Sequence, residues 1–135
     1  MKYQFLEHTA DIKFQAFGEN MDEVFKNSAL ALKETICGKK KIKEAKKKIV
    51  KVIGKDLESL LYNFLEEILY LLDADNFIIS KVKNLKISEF ELKAVLVGDN
   101  IKNYKFTNKV KAVTYNEMFI NEKKGNWISQ VVLDV

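Results

Sequence analysis

The stretch DLESLLYNFLEEILYLLDADN, Asp56–Asn76, carries the strongest periodic signal in the chain. Leu57, Leu60, Leu61, Phe64, Leu65, Ile68, Leu69 and Leu72 fall at the i, i+3, i+4, i+7 spacing that lines one side of an α-helix, which predicts a helix pressed into a core. Asp56 can cap its start, and Asp73, Asp75 and Asn76 mark its end. Upstream lies a second amphipathic helix. Asn20 is a good N-cap with Glu23 three residues on, and Met21, Val24, Phe25, Leu32 and Ile36 repeat on one face until Gly38 stops it. Before that helix, Ile12, Phe14 and Ala16 alternate with Lys13, Gln15 and Phe17, a period of two that predicts a strand with one buried face. Tyr3 to Leu6 reads as the end of another strand, and Ile49 to Ile53 as a short one closed by Gly54.

Downstream of Asn76 the text is β-like: Phe77 to Val82, Leu85 to Ser88, Phe90 to Val97, a piece near Tyr104 to Phe106, Val110 to Phe119, and Trp127 to the end. Gly98-Asp99-Asn100 and Lys124-Gly125-Asn126 read as turns between them. Two helices are too few to separate so many strands into βαβ units. The expected fold is therefore α+β: a two-layer sandwich, with both helices on one face of a largely antiparallel or mixed sheet. At 135 residues, one domain spanning 1–135 is expected, large enough for a core without disulfides or metal staples.

Composition narrows the class further. A single cysteine allows no internal disulfide, no leader pattern opens the chain, and no apolar run is long enough to cross a bilayer, so a reducing cytoplasm is the expected compartment. The formal charge is +4, with Lys39 to Lys41, Lys43, Lys46 to Lys48 and Lys51 crowded together. Every basic residue is lysine, which lacks the planar fork used for bidentate phosphate or base recognition. The cluster reads as a solvated lysine face rather than as an RNA site. Asp73-Ala74-Asp75 opens like a calcium-binding EF-hand loop, but Phe77, Ile78 and Asn84 stand where that loop needs a ligand, a glycine and a glutamate. Cys37, at a helix C-terminus where the dipole disfavours a thiolate, reads as a small buried residue.

Polar chemistry concentrates in Glu7-His8-Thr9-Ala10-Asp11, the connection between the first two strands and the home of the only histidine. At the other end, Asp134 adjoins Val135, whose α-carboxylate adds a second negative group. Two such groups repel unless hydrated, protonated or neutralised. If Asp11 lies beside them, three oxygen donors converge, a set that suits a hard cation rather than zinc. The alternative is a turn residue and a solvated, fraying end. Lys111 and Tyr115 differ by four and so share one face of their strand, where a half-buried strand with a snorkelling lysine would read the same way.

EHTAD near the start, Lys111-Ala112-Val113-Thr114-Tyr115, and the terminal Asp134-Val135 together resemble the archease family, small proteins that assist RNA ligases of the RtcB type. The leucine-rich helix after Asp56 is similar to the family's as well. This resemblance implies a non-enzyme: an accessory protein that promotes guanylylation and multiple turnover of an RtcB-type ligase in tRNA splicing or RNA repair, with no catalytic residues of its own. It implies a metal site at Asp11, Asp134 and Val135, calcium first and magnesium or manganese as substitutes. His8, Thr9, Lys111 and Tyr115 become partner-binding or supporting residues, and contact with tRNA would be indirect. Lys13 stands where a glycine is common, Asn116 where a histidine is, and Glu66 where an asparagine is. Two other readings stand beside it: a chaperone-like modulator of RNA-modifying enzymes with the lysine face on RNA, and a small stand-alone metal-dependent enzyme.

Overall fold

The structure is a computed structural model describing residues 1–135. In chain order it contains β1 (Tyr3–Leu6), β2 (Ile12–Gly18), α1 (Met21–Cys37), β3 (Lys46–Ile53), α2 (Leu57–Asp75), β4 (Phe77–Ser88), β5 (Glu91–Asn100), β6 (Ala112–Lys123) and β7 (Asn126–Asp134), with one 3₁₀ turn at Ile101–Asn103. The fold is α+β, two helices packed against antiparallel sheets. The single sheet expected from the sequence is in fact two, ordered β1-β2-β7-β6 and β3-β5-β4, with every pairing antiparallel. The division arises because β3 pairs with β5 instead of rejoining β2. Each helix then spans both sheets: α1 packs on β2 and β4, and α2 on β6, β4 and β3. One cluster of 33 buried residues fills the space between the layers, drawing Phe25, Leu32, Phe64 and Leu65 from the helices and Phe14, Ile79, Leu92 and Val131 from the strands.

The helix ends follow local chemistry. Asn20 accepts the Glu23 N–H at 2.8 Å, and Gly38, with φ 69°, closes α1. Asp56 accepts the Ser59 N–H at 2.7 Å while the Ser59 hydroxyl accepts the Asp56 N–H, a reciprocal cap on α2 that ends at Asn76 in the left-handed region. Cys37 is buried, and that burial raises its thiol pKa. Trp127 packs against the core. No helix is long and apolar enough to cross a membrane.

Several strand boundaries differ from the sequence expectation. The two segments read either side of Asn84 are one strand, β4, which keeps its pairing by bulging, with Asn84 at φ 52°. β3 begins at Lys46, three residues before its apolar run, because pairing with β5 continues through the lysines. Gly98-Asp99-Asn100 is no turn but the end of β5, and the piece at Tyr104 to Phe106 is not a strand. Asp99 is buried and accepts from the Asn100 N–H, the Asn103 amide and the Tyr104 hydroxyl, so its turn-forming side chain is spent on tying down the segment after β5. The β4–β5 turn falls on Glu89 and Phe90, with φ 48° and 62°, the geometry of a two-residue hairpin without its usual Asn-Gly signal.

Candidate functional site

Pairing of β2 with β7 brings the two ends of the chain together. Ile12 lies opposite Leu133 as the last pair of the ladder, and Asp11 and Asp134 are the residues just beyond it on each side. On β2 the alternation turns Phe14 and Ala16 into the core and leaves Lys13 and Gln15 on the outer face. The loop turns through Ala10, whose φ of 68° is uncommon for a residue bearing a Cβ. Asp11 is half-buried, Asp134 exposed and Val135 half-buried. Beside them Phe5, Leu6, Ile12 and Val135, with Thr35 and Lys109, line a shallow cavity of about 340 Å³.

A further carboxylate reaches this end of the sheet. Between Thr114 opposite Val132 and Phe119 opposite Gln130, β6 bulges outward, and Glu117 sits in that bulge at φ 52°. Its main-chain carbonyl accepts from the Gln130 amide at 2.8 Å, anchoring the bulge over the outer face. Its carboxylate takes the His8 Nε2 at 2.8 Å and the Lys13 ammonium at 3.3 Å. The His8 contact and then the Lys13 contacts hold the Glu117 carboxyl below the usual carboxylate range. With the Glu117 carboxylate at Nε2, that nitrogen is the one that donates, since an ionised carboxylate can only accept. Nδ1 is buried without a hydrogen-bond partner, 3.7 Å from Asp11 Oδ2.

The remaining expected residues divide. Thr9 is exposed. Lys111 lies just before β6 rather than on it, and its main-chain N–H donates to the Asp134 carbonyl at 2.7 Å, so it holds the last strand through backbone and not through its ammonium. Tyr115 is 54% exposed and stacks on Tyr62 of α2, ring centroids 4.2 Å apart and 6° from parallel. Of the three residues that differ from the expected family pattern, two have a side-chain use: Lys13 neutralises Glu117, and Glu66 accepts the Val113 N–H at 3.2 Å. Asn116 is exposed and donates only its main-chain N–H, to the Thr114 hydroxyl at 3.3 Å. Glu117 itself was missed in the sequence, where only the broken alternation of Tyr115-Asn116-Glu117-Met118 hints at a bulge.

Asp11 and Asp134 are oxygen donors, the chemistry that hard cations take, whereas the His8 nitrogen 3.7 Å from Asp11 is not a donor of that class. No group of three or more His, Cys, Asp and Glu side chains is arranged to hold a metal.

Fold and site together define a small two-sheet α+β protein with a polar tip built from both ends of its chain. Residues 3–135 match the model of the Archease protein family, and the chain belongs to that family. It is 39% identical to protein archease of Methanosarcina mazei, over 99% of this chain and 96% of that protein, and 37% identical to protein archease of Pyrococcus abyssi, over 99% of each. The solution structure of Methanobacterium thermoautotrophicum protein 1598 is similar with a TM-score of 0.84, 33% identity and 99% coverage of both chains. The crystal structure of an archease and possible chaperone from Thermotoga maritima shares the fold at a TM-score of 0.70 and 19% identity, covering 96% of this chain and 94% of that one.

Proposed function

We propose that this chain is an accessory protein that activates an RtcB-type RNA ligase, promoting its guanylylation and multiple turnover, and that its acidic tip is the working end. The observation that carries this reading is the placement of Asp11 and Asp134 just beyond the Ile12–Leu133 pair that ends the β2–β7 ladder, with the partnerless His8 Nδ1 3.7 Å from Asp11. Asp11, Asp134 and the Val135 carboxylate would hold a divalent cation, calcium first. When bound, such an ion supplies neutralisation of phosphate charge. The chain's own part is positional. Lys13 and His8 fix Glu117, Glu117 fixes the His8 tautomer, and the strand pairing delivers two aspartates to one end. Exposed Tyr115 and the apolar cavity beside Val135 offer a rim against which a ligase could seat.

Single-turnover guanylylation of an RtcB-type ligase from the same source, with the chain at substoichiometric amounts, tests the reading. The expected result is acceleration that falls at least about tenfold in Asp11→Ala and in Asp134→Ala, the scale of a removed ligand or its support. Calcium titration followed by calorimetry should lose its heat in the same variants. Full stimulation by both folded variants would overturn the role of the tip, and no stimulation by the wild-type chain would overturn the accessory role itself.

A further inference from the structure

The outer face of the β3-β5-β4 sheet, opposite the side covered by the helices, is built in cross-strand rows. Ile49 lies beside Val95 and Lys83, and Lys47 beside Val97 and Lys81. Lys51 lies beside Lys93, which lies beside Lys86. Three like charges across three adjacent strands oppose sheet formation, since directly opposed like charges are destabilising. Nearby carboxylates compensate only in part. Glu91 is shared between Lys51 at 3.5 Å and Lys93 at 3.7 Å, and Glu44 between Lys81 at 3.1 Å and Lys83 at 2.9 Å. Each negative charge therefore serves two positive ones, and the face keeps a surplus. Within it, Ile49 is 84% and Ile53 63% exposed.

Lysine on an edge strand is a common guard against unwanted pairing, and β3 is an edge. Guarding accounts for the lysines but not for two isoleucines left in water on the same strand. Edge geometry adds a third observation: alternate residues of β3 direct their N–H and C=O away from β5, where no strand lies. At Ile53 the carbonyl is already taken by the Asn63 amide of α2 at 2.9 Å, which leaves the stretch through Lys47, Ile49 and Lys51 open. A second copy of this chain would, in any register, add its own lysines to a face that already carries a positive surplus. Nucleic acid would meet the lysines but would leave aliphatic side chains against phosphate, and the face offers no exposed aromatic ring for stacking.

We infer that β3 is a docking edge for an acidic, aliphatic segment of a partner protein, added to the sheet as a further strand. Side chains of the added strand would fall in the existing rows: an acid beside Lys47, an aliphatic group beside Ile49 and an acid beside Lys51, with main-chain pairing ending short of the Ile53 carbonyl that Asn63 holds. Main-chain hydrogen bonds supply affinity and the alternating rows supply selectivity. This surface is separate from the acidic tip and does not rest on the activity proposed for it.

The test uses the whole chain, isotope-labelled, with the synthetic peptide Glu-Thr-Val-Thr-Glu-Thr-Val-Thr as probe and the same peptide with lysine for glutamate as control. Expected is saturable binding in which the outward amides of β3 gain protection from hydrogen exchange. Affinity should fall at least about tenfold between about 50 mM and about 500 mM salt, as screening removes the charge term. Ile49→Ser and the double variant Lys47→Glu, Lys51→Glu should each weaken it by about tenfold or more, a loss equivalent to one anchoring contact. Unchanged amide dispersion in both would show that they fold. The proposal is overturned if β3 gains no protection at low salt, or if the lysine peptide binds equally well. It is overturned too if oligouridylate perturbs β3 and the acidic peptide does not, or if the chain alone self-associates through these amides.

Discussion

Glu117 decides how the tip is held. It is exposed on one side, yet it touches both His8 and Lys13 across more than a hundred residues of sequence, and it does so from a backbone conformation that favours glycine or asparagine. Glu117→Gln keeps the shape but weakens the acceptor for the imidazole N–H. Its expected outcome is intermediate ligase stimulation, between wild type and Asp11→Ala, together with a shift of the His8 ring nitrogens away from the Nε2–H tautomer in ¹⁵N spectra. Unaltered ring-nitrogen shifts would show that Glu117 does not set the tautomer. Asp99 presents a different residue-scale case. Donation by Tyr104, then by the Asn100 N–H, holds its carboxyl below the usual range, and Tyr104 in turn accepts the Lys43 N–H at 2.8 Å. Asp99→Asn should therefore lower thermal stability at neutral pH, with the gap to wild type narrowing as pH falls below about 4, where the unfolded carboxyl takes up its proton first. A gap independent of pH would place the effect in packing and not in charge.

Elements succeed or fail here by close approach. α2 buries Leu60, Leu61, Phe64 and Leu65 completely, and Phe64 meets Phe25 of α1 with ring centroids 6.3 Å apart. Phe64→Ala should cost about 3–5 kcal/mol in chemical denaturation, the usual range for emptying an aromatic site in a core. Gly98 supplies the other instance. A Cβ there would press into the Ile78 carbonyl oxygen on β4, at the point where β4 shifts register after Ile79. Gly98→Ala should lower stability by about 1–3 kcal/mol, as overpacking does, and a neutral result would mean that the β4 bulge can yield. The glycine is present for strand-to-strand contact, which is why the turn reading of Gly98-Asp99-Asn100 fails although its composition suits a turn.

At the scale of the molecule, charge is segregated. Asp11, Glu117 and Asp134 gather at one end of the four-stranded sheet, and lysines dominate the outer face of the three-stranded one. Four carboxylates across the molecule are held in their charged form: Glu44 by Lys83 and Lys81, Asp56 by Ser59, Glu117 by His8 and Lys13, and Asp99 by Tyr104. All four pKa values lie below their ordinary ones, so the stability they contribute is present above about pH 4 and is lost as pH falls through the folded values. The urea midpoint should be flat from about pH 5 to about pH 8 and decline below about pH 4. At the alkaline end the sign reverses. Burial and the Glu34 partner push Tyr3 up to about 12, so its contribution persists to about pH 10 and disappears as pH rises toward 12. Tyr3→Phe should make that alkaline decline shallower.

By itself the sequence determined whatever depends on neighbours along the chain. The period of Leu57 to Leu72, the caps at Asn20 and Asp56, the stop at Gly38 and the turn at Lys124-Gly125 are local, because a helix or a tight turn closes its own hydrogen bonds. Polar residues likewise singled out Asp11 and Asp134 as candidates, whose role the ligase and calcium experiments decide. Only the tertiary structure decided that the strands form two sheets, that Glu66 receives the Val113 N–H, and that a bulge in β6 carries Glu117 to His8. The physical reason is that a strand leaves its hydrogen bonds open to any partner of suitable register. Which partner closes them is settled by the whole core at once, not by the residues of the strand.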